Sequence, residues 1–283
     1  MLFRSTFNFG SDFVVNCGDI ANECIIATDW INESMTRGII VPGNHMGYDY
    51  PFPELNGPWN KGIIAVENTR TEQLRYISNR LPAGVKLLNN SAYEYNGVVF
   101  LCTTLFTNFK LYGEKHKEEC MGRAANGIND YRRIFKTTGN YKNSVVEPYA
   151  TYDTEAAFEE SLKFLKKNLR KYRGTPVVVV SHFAPLKECI HEKYAHDILN
   201  AYFVSDLSEL IKDNGNLRLW CFGHVHHAVD FIYAGTRIVA APFGDGNENN
   251  YPLPYGYGTR ISFDDIKSKK KWSELHKKLE VKG

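Results

Sequence analysis

The chain has 283 residues, 43% of them hydrophobic and 23% charged, with a formal net charge of +2 at pH 7. That length can bury a sizeable core, as one large domain or two small ones, and the near-balanced charge gives no drive toward non-specific nucleic-acid binding. No run reaches the roughly 18 consecutive apolar residues that a membrane span requires.

Residues 1–7 lack a basic region followed by a long apolar stretch and a cleavage site, so a secretory signal is not expected. The cysteines at 17, 24, 102, 120, 189 and 221 form no Cys-x-x-Cys pair and no tight framework. Three of them lie within or at the ends of apolar strands, which predicts reduced, buried thiols and a cytoplasmic protein.

In chain order, hydrophobic periodicity predicts a strand at 12–16, a helix at 24–36, a strand at 38–41, an irregular loop at 43–62 and a helix at 69–80. Short strands follow near 85–88, 92–95 and 98–103, then a polar stretch at 107–152 with helical content around 114–135. An amphipathic helix at 154–172 leads into a strand at 175–180, a helix at 204–213, and strands at 217–222, 228–233 and 236–240. This alternation is an α/β layered sheet, with a more antiparallel region late in the chain. The stretch 107–152 is too long for an ordinary connection and is expected to be a lid or cap insertion in a single domain spanning 1–283. A basic tail at about 264–283 places Trp272, Leu275 and Leu279 at helical spacing, as in a surface helix docking one apolar face. Walker-type loops, GxGxxG, GxSxG elbows and zinc-ribbon cysteines are all missing from the sequence.

Four of the apolar runs end alike. Phe13-Val14-Val15-Asn16-Cys17 is followed by Gly18-Asp19, and Gly38-Ile39-Ile40-Val41-Pro42 by Gly43-Asn44-His45. Val177-Val178-Val179-Val180-Ser181 delivers His182, and Leu217 to Phe222 delivers Gly223-His224-Val225-His226. Parallel sheets place ligand sites at the carboxyl ends of their strands. Asp, Asn and His together are the donor set of a hydrolytic divalent-metal centre. Singly, Asp19 reads as a turn residue or helix cap, Asn44 as a turn, and His182 as a satisfied buried histidine. The ordered series points instead to a metal site.

That series resembles the calcineurin-like metallophosphoesterase superfamily over about residues 12–240. The segments Asn129–Ile134, Ser181–Pro185 and Gly235–Val239 look like its small bacterial and phage members. The resemblance implies a four-layer α/β/β/α sandwich whose first strand is apparently missing here. It also implies two divalent ions (Mn, Fe or Zn) about 4 Å apart. By the same resemblance Asp19 bridges both ions, Asn44, His182 and His224 complete the ligand set of the second metal, and His226 binds the first. His45 would act as general acid or as a donor to the phosphoryl oxygens. The implied activity is hydrolysis of a phosphate mono- or diester by a metal-bridging hydroxide, on a small phosphorylated or nucleotide substrate. Neither a membrane nor a long nucleic acid is an expected partner, and the oligomeric state is not readable.

Two departures stand out. The family's Asp-x-His motif does not precede Gly18-Asp19 and would fall immediately before Met1, so Met1 is expected to be an internal methionine of a longer natural product. The competing expectation is a catalytically impaired binding module holding one metal or none. Met46 also stands where the family usually has Asp or Glu after Asn-His, which removes a carboxylate able to orient its neighbours. Ile20-Ala21-Asn22, in place of Asp-Arg-Gly, disfavours the protein-phosphatase branch. Arg132 and Arg133 are candidates for substrate phosphate, because guanidinium forks match its geometry. The remaining candidates are weaker: His191, His196 and His227, and the Gly-, Asn- and Tyr-rich loop from Phe243 to Tyr257.

Overall fold

The computed structural model describes residues 13–22, 24–48, 70–138, 145–242, 259–268 and 270–274. Leu275, Leu279, the loop from Phe243 to Tyr257 and most of the predicted loop at 43–62 lie outside the described residues. The strands are β1 (Val14–Asn16), β2 (Gly38–Ile40), β3 (Val85–Leu87), β4 (Ser91–Tyr95), β5 (Val98–Thr103), β6 (Phe135–Thr138), β7 (Val145–Pro148), β8 (Val177–Ser181), β9 (Leu217–Phe222), β10 (Val229–Tyr233) and β11 (Thr236–Ala240). The helices are α1 (Cys24–Ser34), α2 (Arg70–Ser78), α3 (Lys117–Gly127), α4 (Asp130–Arg133), α5 (Thr151–Lys171), α6 (Asn200–Phe203), α7 (Ser208–Lys212) and α8 (Phe263–Lys267). The helix expected at 204–213 is instead two short ones, α6 and α7, with Val204 extended between them.

Two sheets carry the fold. The smaller is parallel, in the order β1-β2-β3, and the larger runs β10-β11-β9-β8-β5-β4. Within the larger sheet β11, β9, β8 and β5 are parallel, and an antiparallel strand closes each edge. Among the described residues β1 pairs with β2 alone.

Alternation along the strands sorts side chains into layers, because successive residues of a strand point to opposite faces. Ile39 and Val41 of the small sheet meet Val98, Phe100, Cys102, Val178, Val180 and Val239 of the large one in a core between the sheets. Phe13 joins this core, stacked on Tyr95 at 4.4 Å between ring centroids. The intervening residues face outward. Ile40 and Val85 pack on Cys24, Ala27 and Ile31 of α1 and Ile77 of α2. Val99, Leu101, Val177, Val179 and Ile238 pack on Phe158, Leu165 and Leu169 of α5. The result is helix, sheet, sheet, helix, which is the expected four-layer α/β/β/α arrangement.

One irregularity is informative. Leu217 and Leu219 are two apart yet lie in different cores. The register between β8 and β9 shifts at Val177/Val178, so that Leu217 opposes Val177 while Leu219 opposes Val178. A bulge adds one residue to a strand and so resets which side its later residues face.

Helix α5 buries Thr151, Thr154, Phe158, Ser161, Leu165 and Leu169, a spacing of three and four that keeps one stripe on the sheet. Its first turn is fixed by Asp153, whose carboxylate accepts the Ala150 N–H at 2.8 Å. The segment 107–152 also contributes to the large core, through Cys120, Met121, Ala124 and Tyr131. All six cysteines are free, four of them buried and Cys17 and Cys221 half-buried. Trp272 is buried in the core between the sheets, so the tail docks at least this one apolar residue. Among the described residues no helix is long and apolar enough to cross a membrane.

Phe158 is fully buried at the centre of the α5 stripe. Phe158→Ala is expected to lower unfolding stability by about 3–5 kcal/mol, read as a lower urea midpoint at unchanged slope.

Candidate metal centre

The four strand ends converge because β1 and β2 are parallel in one sheet, β8 and β9 are parallel in the other, and the two sheets are stacked. The chain leaves each strand through a residue with little or no side chain and then presents a donor. Asp19, His182 and His224 offer ligand atoms that all lie within 4.8 Å of one another. The Nε2 of His182 is 3.0 Å from Asp19 Oδ2 and 2.9 Å from Asn44 Oδ1. Asn44, His182 and His224 are buried, while Asp19 keeps partial exposure.

Close approach of backbone makes this possible. A Cβ on Gly18 would fall 2.6 Å from His182 Nδ1 and 2.7 Å from the Gly43 nitrogen, and Gly18 has φ +100°. A Cβ on Gly43 would overlap the Asp19 carboxylate outright. Three of the candidate ligands themselves adopt left-handed backbone: Asp19 (φ 53°), His224 (φ 66°) and His226 (φ 48°). Such conformations cost on the order of 1–3 kcal/mol each outside glycine and persist where the surrounding structure enforces them.

The protonation pattern follows from what each partner is able to do. Nδ1 of His182 lies 2.6 Å from the Cys17 carbonyl oxygen, which only accepts, so Nδ1 carries the proton. Nε2 faces two more acceptors, a carboxylate oxygen and the amide oxygen of Asn44, and is the ring nitrogen left to meet a cation. His224 adds a buried Nε2 without any hydrogen-bond partner. Burial first, and then neighbouring His182, pushes the His224 imidazole well below its ordinary pKa, so it is neutral near pH 7. Burial raises the Asp19 carboxyl, but the neighbouring imidazoles, His182 first and then His45 and His224, outweigh it and hold Asp19 ionised below the usual carboxylate range. Two imidazoles, a carboxylate and an amide oxygen turned toward one point form a donor set that a cation can satisfy together. The donor set fits a divalent ion of the Mn, Fe or Zn kind.

His45 sits at the edge of this cluster. Its backbone N–H donates to Asp19 Oδ1 at 3.0 Å, and its ring Nδ1 is 2.5 Å from Asn22 Oδ1. The ring stacks on Tyr48 with centroids 4.3 Å apart. The guanidinium of Arg133 lies over the same Tyr48 ring, 4.7 Å from its centroid. Arg132 is exposed and donates to Asn126 O and Asn129 Oδ1 within its own segment. His226 is exposed and stands outside the tight group of Asp19, His182 and His224. Nδ1 of half-buried His227 bonds the Val225 carbonyl, and its ring lies 5.1 Å from that of His191.

Several residues that matter to the geometry carry no motif. Arg70, buried at the start of α2, donates to Gly43 O at 2.8 Å and to Thr104 Oγ1 at 3.1 Å, and Thr104 in turn donates to Pro42 O. Together they clamp the loop that carries Asn44. Asn22 was readable only as the residue three beyond Asp19. Met46 is fully buried against α1 and α2, an apolar core position. Asp130, also buried, bonds Asn44 from the far side.

Comparisons with known proteins bear on the family and the fold. A sequence model of the family described as calcineurin-like phosphoesterase matches residues 2–228. A relative from Acanthamoeba polyphaga mimivirus, named uncharacterized protein L509, is 29% identical over 224 residues, covering 77% of this chain and 71% of the relative. Among solved structures, the phosphopantetheinyl hydrolase PptH from Mycobacterium tuberculosis superposes with a TM-score of 0.63 at 18% identity. That match covers 90% of this chain and 87% of that one, and it speaks to the fold. The chain belongs to the calcineurin-like phosphoesterase family.

Proposed function

We propose that this chain is a metal-dependent hydrolase of phosphate mono- or diesters, acting on a small phosphorylated substrate. The observation that carries the proposal is the convergence of Asp19, Asn44, His182 and His224 at parallel strand ends, with a buried His224 Nε2 that has no hydrogen-bond partner. Asp19, Asn44, His182 and His224 would hold the ion, with His226 as the candidate ligand to a second one. Divalent ions bound there supply Lewis acidity, neutralising phosphoryl oxygens and making water nucleophilic near neutral pH.

The chain's own residues supply position and protons. The Cys17 carbonyl fixes the tautomer of His182, and the clamp from Arg70 and Thr104 fixes the Asn44 loop. Nδ1–H of His45 donates a hydrogen bond to Asn22 Oδ1, which leaves Nε2 as the nitrogen that exchanges a proton with the departing alcohol. Tyr48 beneath the ring holds its tilt. The segment 107–152 acts as a cap in this reading, and Arg133, stacked over Tyr48, is better placed than Arg132 to meet substrate phosphate.

With Mn²⁺, Fe²⁺ or Zn²⁺ supplied, the protein is expected to turn over bis-p-nitrophenyl phosphate or the monoester. Asp19→Ala, His182→Ala and His224→Ala are each expected to abolish metal-dependent turnover. Turnover indifferent to all three would refute the assignment, and no turnover with any of the metals would favour the binding-module alternative. His45→Ala is expected to lower kcat by about 10²–10⁴-fold while metal uptake stays at the wild-type level. Steady-state kinetics beside metal analysis of the desalted protein separates the two effects.

A further inference from the structure

Asp130 is about 1% exposed, yet it meets three uncharged donors and belongs to none of the strand-end motifs. Its Oδ1 accepts from Asn44 Nδ2 at 2.8 Å and from the Tyr48 hydroxyl at 2.9 Å, and its Oδ2 accepts a short bond from the Tyr202 hydroxyl. Burying a carboxylate is costly unless hydrogen bonds offset its desolvation. Both phenols are held protonated, by burial first and then by the Asp130 charge, so they remain donors.

We infer that Asp130 is a positioning residue that fixes the side-chain amide of Asn44 with its oxygen turned toward the metal ligands. The argument rests on complementarity. An Asn amide has two ends of almost identical shape, one accepting and one donating. An ionised carboxylate only accepts, so the end facing Asp130 is the NH₂ group. The oxygen is thereby committed to the opposite side, where it lies 2.9 Å from His182 Nε2. Hydrogen bonding of the NH₂ group to a negative charge also makes the amide oxygen a better donor to a cation, as outer-shell carboxylates do for histidine ligands.

The same carboxylate reaches two further members of the site through its phenols. Tyr48 stacks on His45 at 4.3 Å, and the Tyr202 ring lies 5.5 Å from that of His224. Asp130 sits on the four-residue helix α4, inside the stretch 107–152 and 86 residues from Asn44. It is thus one contact by which that segment meets the strand-end residues.

This inference rests on the metal-site reading above, and its test separates the two. Mn²⁺ binding to the full-length purified protein is measured by titration calorimetry, with the melting temperature of the metal-free protein recorded beside it. Wild type is expected to bind. Asp130→Asn keeps the shape but loses the acceptor-only charge, and is expected to weaken Mn²⁺ affinity about 10- to 100-fold. Phe158→Ala, in the core stripe of α5 and touching no candidate ligand, is expected to lose stability with metal affinity nearly unchanged. In an Asn44→Ala background, Asp130→Asn is expected to cost little further affinity.

Affinity falling in step with stability in both Asp130→Asn and Phe158→Ala would overturn the inference, as would unchanged affinity in Asp130→Asn. A wild type that takes up no Mn²⁺ would overturn the site reading and this inference with it. If Asp130→Asn fails to fold, a crystal structure of Mn²⁺-loaded wild type decides. Asn44 ligating through oxygen with its NH₂ group on Asp130 supports the inference, and an Asn44 side chain away from the metal or from Asp130 overturns it.

Discussion

A carbonyl oxygen has nothing to donate, and at Cys17 that limitation organises the centre. The Cys17 carbonyl accepts a hydrogen bond from Nδ1–H of His182, which leaves Nε2 as the ring nitrogen that faces the other donors. Once that nitrogen is committed, its neighbours at about 3 Å, Asp19 and Asn44, complete a set of acceptors aimed at one another. The contact joins residues 165 apart in sequence and from different sheets. Site and fold are therefore coupled: the two sheets must pack at the right distance for the tautomer to be set.

The packing that makes this distance reliable is plain. Ser181 closes β8 by donating to the Phe183 carbonyl and accepting from the buried Trp220 indole. His182, between Ser181 and Phe183, leaves the strand with little freedom. Gly18 and Gly43 let two loops approach more closely than any Cβ allows. The left-handed turns at Asp19 and His224 are local costs that the cores on either side of the sheets offset. An array of buried lone pairs without a cation is unfavourable in itself, so the binding of an ion is coupled to the stability of the folded chain.

Outside the ligands, the structure supports the site mostly through residues that no motif announces. Arg70 and Thr104 hold backbone carbonyls, Asn22 holds the His45 ring, and Asp130 holds the Asn44 amide. Each acts by restricting which end of a group faces inward, which is how outer residues tune a metal centre. The alternation of Ile39, Ile40 and Val41 between two cores shows the same economy, since one strand builds the inter-sheet layer and the outer helix layer at once.

By itself the sequence determined most strands and helices of the core and the side chains delivered at the strand ends, while the order of the layers came from the family resemblance. Those features are local: a strand reads as alternation, a helix as three-and-four spacing, and a donor after a glycine as a strand-end loop. It had no means to separate Arg132 from Arg133, since adjacent residues of one helix are alike until the chain folds around them. It also gave no sign that His226 would stand exposed while His224 is buried, because that split depends on left-handed backbone at both positions. Asp130 lay in plain view within Asn129–Ile134, but its significance is a contact across 86 residues. Contacts of that kind carry no periodicity, so only the packing of α4 against the strand ends decided which carboxylate would face Asn44.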